Sequence, residues 1–543
     1  MGAGKLSLSL LALAGGAVGA DLPAITMKGA KFFYENGTQF FMKGVAYQQD
    51  TSAAGATFEK KKNFIDPLAD EKACRRDIPL LEELGTNTIR TYAIDPEADH
   101  SVCMKLLEDA GIYVISDLGE PQTSINRDDP KWDVELFTRY KAVVDELANY
   151  SNVIGFFAGN EVSNNKTNTE ASAYVKAAVR DTKAHIKSKG YRWMGVGYAA
   201  NDDKDIRAEI ADYFNCGPTE DAIDFWGYNI YSWCGESSMQ KSGYDEQIKF
   251  FEEYSVPVFF AEYGCNLPDG AAGRIFEETA ALYNDQMTEV FSGGIVYMYN
   301  QEANDYGLVK VGSDGKATKL KDFDFLKKQV LKADPKGVDK DDYSPSLKAA
   351  TCPDVTSTWK VSGDDLPPTP DKELCDCMVQ SATCGPASDL SSKSYGDIFG
   401  FICGEKPELC KGINGNTTTG VYGAYTGCDP KSKLTYVLDA YYKELDNAAD
   451  ACDFKGKAET KSGSDSSSCK SALDEAKAHN DKVATATSGA DAPFSTSANS
   501  DAGDDEDFAV PGAALMRLFS LGDYAVGLYM VVAVAVGGSM VVL

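Results

Sequence analysis

Histidine is nearly missing from this chain: His100, His185 and His479 are the three among 543 residues. None sits in a motif that suits a nucleophile's base or a metal-ligand set, which argues against a histidine-based triad and against a zinc site. Basic residues are also short. Lys and Arg total 53 against 82 Asp and Glu, giving a net charge of −29. Such a surface repels phosphate, so DNA and RNA are disfavoured as partners. No glycine-rich phosphate loop follows the first apolar strand pattern, which removes the main marker of a dinucleotide-binding open sheet. What remains is a long chain with 43% hydrophobic and 25% charged residues, enough for two or three domains with cores of their own.

Both ends carry targeting patterns. Residues 1–20, "MGAGKLSLSLLALAGGAVGA", combine a basic start at Lys5, an apolar run too short to span a membrane, and the small residues Val18-Gly19-Ala20. This is the form of a secretory signal cleaved after Ala20. The last stretch, "YAVGLYMVVAVAVGGSMVVL", ends without a basic flank and follows the small triplet Gly512-Ala513-Ala514 and a spacer. Residues 511–543 therefore read as a glycosylphosphatidylinositol-anchor signal that is removed, the rival being a tail-anchored helix. Asn499, Ser500 and Gly503 are further small attachment candidates. A secreted chain meets an oxidising compartment, so its 14 cysteines are expected to pair. A sparse set (Cys74, Cys103, Cys216, Cys234, Cys265, Cys352) and a dense set from Cys375 to Cys469 are both even, which suits two separately bridged domains. Sequons stand at Asn36, Asn149, Asn165 and Asn416.

Between residues 30 and about 310, short apolar runs alternate with amphipathic segments. The strand candidates are "FFMKGVAY", "TNTIRTYAI", "IYVISDLG", "VIGFFAGNEV", "WMGVGYAA", "DFWGYNIYS", "PVFFAEYG" and "GGIVYMYNQE". Helical patterns include "EKACRRDIPLLEELG", "ELFTRYKAVVDELANY" and "RIFEETAALYNDQMTEVF". Apolar strands separated by helices imply a parallel sheet covered on its outside, and eight of them fit a (β/α)8 TIM barrel over residues 21–335. Residues 336–370 are charged and proline-bearing and read as a linker. A small, disulfide-rich, mainly helical module spans 371–475. From Thr460 to Glu506 large apolar residues are scarce, and 476–510 read as a disordered Ser/Ala/Asp-rich stalk.

Reactive groups in a parallel barrel sit where strands end. Glu161 ends the fourth strand pattern and Glu262 the seventh, which lie across the mouth from each other. Two carboxylates about 5 to 5.5 Å apart are the working parts of a retaining glycosidase, one attacking the anomeric carbon and the other serving as proton donor and base. Asn160 precedes Glu161 and suits a sugar hydroxyl beside the attacked carbon. Glu262 lies opposite Tyr228 and Tyr231, and a phenol donating to it would keep it ionised and aimed. That assigns Glu161 as acid/base and Glu262 as nucleophile. Tyr47, Tyr92, Tyr231, Tyr297 and Tyr299 gather at strand ends, where rings serve either as sugar platforms or as packing. Gln48 and Asp117 end the first and third strands and suit hydroxyls.

The ordered segments "KGVAYQ", "NTIRTYAID", "SDLGEP", "GNEV", "GYNIYSWCG", "FFAEYGCN" and "GGIVYMYNQEANDYGLV" resemble the fungal β-1,3-glucanosyltransferases of glycoside hydrolase family 72. The resemblance implies a barrel that cleaves an internal β-1,3-glucan linkage and transfers the new reducing end to the non-reducing end of another glucan chain, remodelling the cell wall. By motif, Glu161 becomes the proton donor and Glu262 the nucleophile, while Gln48, Tyr92, Asp117, Asn160, Tyr231 and Tyr297 line the donor subsites. The implied disulfides are Cys74–Cys103, Cys216–Cys352 and Cys234–Cys265; spacing alone leaves 15 pairings open. The stretch from "CDCMVQSATC" to "GVYGAYTGCDPKSKLTYVLDAYY" resembles a cysteine-rich carbohydrate-binding module of family 43, with a purely structural disulfide knot as the rival. No cofactor, metal, nucleic acid or protein partner is implied. The expected partners are donor and acceptor glucan chains, and the membrane through the anchor, which places the protein on the outer face of the plasma membrane and in the wall. Two alternatives are an endo-β-1,3-glucanase that passes the intermediate to water and a wall-anchored glucan-binding protein without catalysis.

Overall fold

The computed structural model describes residues 22–49, 64–464 and 466–493. Eight strands run parallel and close on themselves: β1 (Met42–Ala46), β2 (Thr88–Thr91), β3 (Tyr113–Asp117), β4 (Val153–Asn160), β5 (Gly195–Asn201), β6 (Trp226–Asn229), β7 (Val258–Tyr263) and β8 (Phe291–Val296). They neighbour one another in chain order, and β8 pairs back to β1. Both faces of these strands are covered, which is why they read as continuous apolar runs rather than alternating ones. Gly197 in β5 is required by close approach, since a Cβ there would lie 2.2 Å from the Phe225 ring.

A covering helix follows each strand, with a further short one after β6 and after β7: α1 (Glu71–Glu83), α2 (Ser101–Asp109), α3 (Val134–Leu147), α4 (Ala171–Ser188), α5 (Arg207–Phe214), α6 (Tyr244–Phe251), α7 (Glu277–Leu282) and α8 (Lys321–Lys332). Asp70 and Asp133 cap α1 and α3 by accepting backbone N–H groups, satisfying donors that have no partner within the helix. The pattern "RIFEETAALYNDQMTEVF", continuous in sequence, does not form one helix. It divides after α7 because Asn284 turns its side chain onto the Met287 N–H and starts a separate short helix, Asp285–Thr288.

Two cores result. The larger lies between the sheet and the helices and includes Leu81, Leu107, Val144, Val179 and Phe260. The smaller fills the barrel interior and includes Tyr113, Ile154, Phe157, Phe225 and Phe259. An antiparallel three-stranded piece, Thr26–Lys28, Lys31–Phe33 and Gln39–Phe40, sends Phe32 and Phe40 into that interior at the amino-terminal ends of the strands. The barrel therefore has a packed floor, and its open end is the carboxyl end.

The segment expected to be a linker is packed instead. Trp359 and Val361 are fully buried, and Trp359 lies 5.3 Å from the ring of Tyr213 on α5. Its charged composition hid a few well-spaced apolar residues. Beyond it stand α9 (Lys372–Ser381), α10 (Tyr395–Glu405), α11 (Pro430–Glu444) and α12 (Lys470–Val483). The stretch read from composition as unable to fold is therefore helical at its start. Lys470–Asp474 and Lys477–Asp481 pairs at i,i+4 support α12, Ala476, His479 and Val483 face inward, and Cys469 is bridged to Cys377. Every cysteine is paired. Cys74–Cys103, Cys216–Cys352 and Cys234–Cys265 serve the barrel, and Cys375–Cys428, Cys377–Cys469, Cys384–Cys452 and Cys403–Cys410 the module. Among the described residues no helix is long and apolar enough to cross a membrane. The secretory signal expected at residues 1–20, the part of the expected stalk beyond residue 493 and the anchor signal expected at 511–543 lie outside the described residues.

Candidate active site

Glu262 is next to last in β7 and 8% exposed. Three donors converge on its carboxylate. The Tyr92 hydroxyl donates to Oε1 and the Tyr231 hydroxyl to Oε2, both at 2.9 Å, and Arg90 Nη1 lies 3.4 Å from Oε1. Burial pushes this carboxyl above its ordinary range and the Glu161 charge adds to that. Arg90 and the two phenols oppose it by stabilising the ionised form. Burial keeps both phenols protonated, so they remain donors.

Arg90 organises this side. It sits in β2, is fully buried, and grips both oxygens of Asp117 at 3.0 Å in a fork, while Nη2 also donates to Asn160 Oδ1 at 3.0 Å. Its guanidinium is sandwiched between the rings of Tyr92 and Phe157, at 4.3 and 4.4 Å. Burial works against the charge, but Asp117, Tyr92 and Glu262 more than compensate, so it stays a cation. Sequence reasoning passed over Arg90 although a signal was present: a lone arginine inside "NTIRTYAID", where a covered strand leaves no water to solvate it.

Glu161 follows β4 directly and has φ of +50°, a left-handed conformation that a non-glycine residue adopts at a cost of roughly 1–3 kcal/mol. Its N–H donates to the Ala199 carbonyl at 2.8 Å, and its own carbonyl accepts from Arg127 Nη2 at 2.6 Å. The turn leaves the side chain at the cleft, where Oε1 accepts from Asn229 Nδ2 at 2.8 Å. Asn229 also donates to Asn160 Oδ1 at 3.0 Å. With two donors on its oxygen, Asn160 has its amide nitrogen left for a ligand. Asn229, likewise missed in sequence, ends β6 and links Asn160 to Glu161.

Glu161, Glu262, Asn160, Gln48, Tyr92 and Tyr297 line one cleft of about 470 Å³ at the carboxyl-end mouth. Tyr231 reaches it through its hydroxyl, and its ring meets those of Tyr297 and Tyr306 at 6.5 and 5.8 Å. The other candidates have partners within the protein. Asp117 holds Arg90 through both oxygens and lines an adjoining pocket with Tyr92 and Asn160. Gln48 accepts from the Tyr92 and Ala93 N–H groups and donates to the Ile65 carbonyl, which makes its amide a tie between loops. Tyr228 turns outward to Asp202, and Tyr47 and Tyr299 both turn to Asp77 on α1, so these three are packing residues. Side-chain alternation along each strand decides this, and a strand end one residue off reverses it.

An eight-stranded barrel with two glutamates facing one cleft at its mouth has the frame of a TIM-barrel enzyme acting on glycosidic bonds. The chain belongs to the glucanosyltransferase family, glycoside hydrolase family 72, whose model matches residues 15–334; an X8 domain matches 382–459. A 1,3-beta-glucanosyltransferase of Arthroderma benhamiae is 52% identical over 559 residues, 99% of each chain. The 1,3-beta-glucanosyltransferase gas1 of Schizosaccharomyces pombe is 46% identical over 84% of this chain and 82% of its own. A mutant of Saccharomyces cerevisiae Gas2p, solved with laminaritetraose and laminaripentaose, superposes with a TM-score of 0.75 at 41% identity, covering 84% of this chain and 99% of that one.

Proposed function

We propose that this protein is a retaining β-1,3-glucanosyltransferase that cuts an internal β-1,3-glucan linkage and joins the new reducing end to the non-reducing end of a second glucan chain. The observation that carries this is the carboxylate of Glu262, held by two phenols and a buried arginine in the cleft that Glu161 also lines. Glu262 attacks the anomeric carbon as the bond to the leaving oxygen breaks, and Glu161 gives its proton to that oxygen. The carboxylate of Glu161 then takes the proton of an incoming sugar hydroxyl, which attacks the same carbon and displaces Glu262. Asn229 on one oxygen of Glu161 leaves the other to carry the proton. Asn160 offers its amide nitrogen to the hydroxyl beside the attacked carbon, and the rings of Tyr92 and Tyr297 face the sugars.

The domain reading accompanies this: a secretory signal over 1–20, a catalytic barrel over 21–335, a strap over 336–370, a cysteine-rich carbohydrate-binding module from 371, and an anchor signal over 511–543 that fixes the protein to the outer membrane face and the wall. A single experiment tests activity and anchorage together. Reduced laminari-oligosaccharides are incubated with cells stripped of their wall, before and after phosphatidylinositol-specific phospholipase treatment. Products longer than the donor are expected, and the activity should move to the medium on treatment. Products no longer than the donor mean hydrolysis instead, and activity that stays with cells stripped of their wall rules out the lipid anchor. Glu262→Gln should lower turnover by at least about 10³-fold, as loss of a nucleophile does, while glucan binding persists.

A further inference from the structure

Arg274 lies outside the cleft and touches neither Glu161 nor Glu262, yet it is fully committed. It is 2% exposed, and its five N–H groups make five contacts. Nε and Nη2 grip Asp322 Oδ2 at the start of α8, and that carboxylate is itself fully buried. The other contacts go to backbone carbonyls. Nη1 donates to Tyr297 at 2.8 Å and to Gly264 at 3.4 Å, and Nη2 donates to Tyr306 at 2.6 Å. Its guanidinium also lies over the Phe276 ring at 4.8 Å.

These three carbonyls belong to the chain leaving β7 just after Glu262, the chain leaving β8, and the loop that follows it. The rings of Tyr297 and Tyr306 form one aromatic wall. Tyr297 and Tyr306 pack at 5.4 Å, and both meet Tyr231, whose hydroxyl holds Glu262. We propose that Arg274, locked by Asp322, is a positioning residue that fixes this wall and thereby sets the ratio of transfer to hydrolysis. The inference rests on the glucanosyltransferase reading. Once the sugar is bonded to Glu262, a sugar hydroxyl and water compete for the same carbon. A sugar competes through ring stacking and fixed orientation, and water needs neither. A displaced wall therefore costs the acceptor more than it costs water.

Arg274→Lys is the direct test. Lysine keeps the charge but has three donors on a single nitrogen and cannot span three carbonyls and a carboxylate. Reduced laminari-oligosaccharides are supplied and products are separated by length, for the wild type, Arg274→Lys and Tyr306→Ala. The wild type is expected to give mainly elongated products. Both variants should lower the transfer-to-hydrolysis ratio at least threefold and raise KM for the acceptor more than they lower kcat for donor cleavage. A residue that only supports folding would reduce both products in proportion, so an unchanged ratio in the variants overturns the inference. Where Arg274→Lys yields too little folded protein to assay, Tyr306→Ala decides by the same two outcomes, since it removes a ring of the wall and keeps the backbone carbonyl that Arg274 holds. A wild type that makes no elongated product overturns the glucanosyltransferase reading itself, a result distinct from an elongating wild type whose variants keep its ratio.

Discussion

The charge on Glu262 is set by opposing forces of known origin. Burial raises its proton affinity, and Arg90, Tyr231 and Tyr92 reduce it. A nucleophile works only when ionised, so activity rises as pH climbs through that titration. Tyr231→Phe and Tyr92→Phe each remove one donor to the ionised form, and the acid limb of the pH–rate profile should move to higher pH in both. Losing a hydrogen bond to a charged group costs about 1.5–3 kcal/mol, so kcat/KM at low pH should fall about tenfold or more. An acid limb that stays in place would mean that the phenols serve the substrate and not the carboxylate. The two variants differ in one respect: Tyr92 also stacks on Arg90, so its replacement keeps that contact while losing the hydroxyl.

At the scale of elements, precision is imposed where strands give way to loops. Cys234 and Cys265 join the loop after β6 to the loop after β7, close to Tyr231 and Glu262, with a sequence separation of 31. Replacing both by alanine should cost about 2–4 kcal/mol by freeing that loop in the unfolded chain. It should also loosen Tyr231 from Glu262, so denaturant midpoints and kcat are both expected to fall; a loss of stability with kcat intact would limit the bridge to a stabilising role. The strands themselves were legible in the sequence, because a parallel barrel buries both faces of each and leaves runs such as "VIGFFAGNEV". Their ends were less so. Whether a tyrosine meets sugar or helix depends on one step of alternation, which is how Tyr231 faces Glu262 while Tyr228 faces Asp202. Glu161 and Glu262 could be singled out because charge at the end of a buried strand is conspicuous. Arg90, Asn229 and Arg274 reach Asp117, Glu161 and Asp322 across 27, 68 and 48 residues of chain, which local pattern does not carry.

For the molecule as a whole, the module and the barrel are held by the strap between them. Val134, the first residue of α3, donates its N–H to the Gly427 carbonyl, Arg180 on α4 reaches the Pro367 carbonyl at 2.8 Å, and the Ser362 N–H donates to the Thr417 carbonyl. Trp359 is the apolar centre of this seam. Trp359→Ala should destabilise the barrel by about 3–5 kcal/mol. Calorimetry is expected to show a lower-melting barrel transition separating from that of the module, and an unchanged melting profile would refute the brace.

The floor built from Phe32 and Phe40 makes the mouth a cul-de-sac. No sugar chain threads out below, so everything reaches Glu262 from the carboxyl-end face. In the proposed covalent route the severed fragment departs before the newcomer attacks the same carbon, so initial-rate plots against donor at several acceptor levels should run as parallel lines.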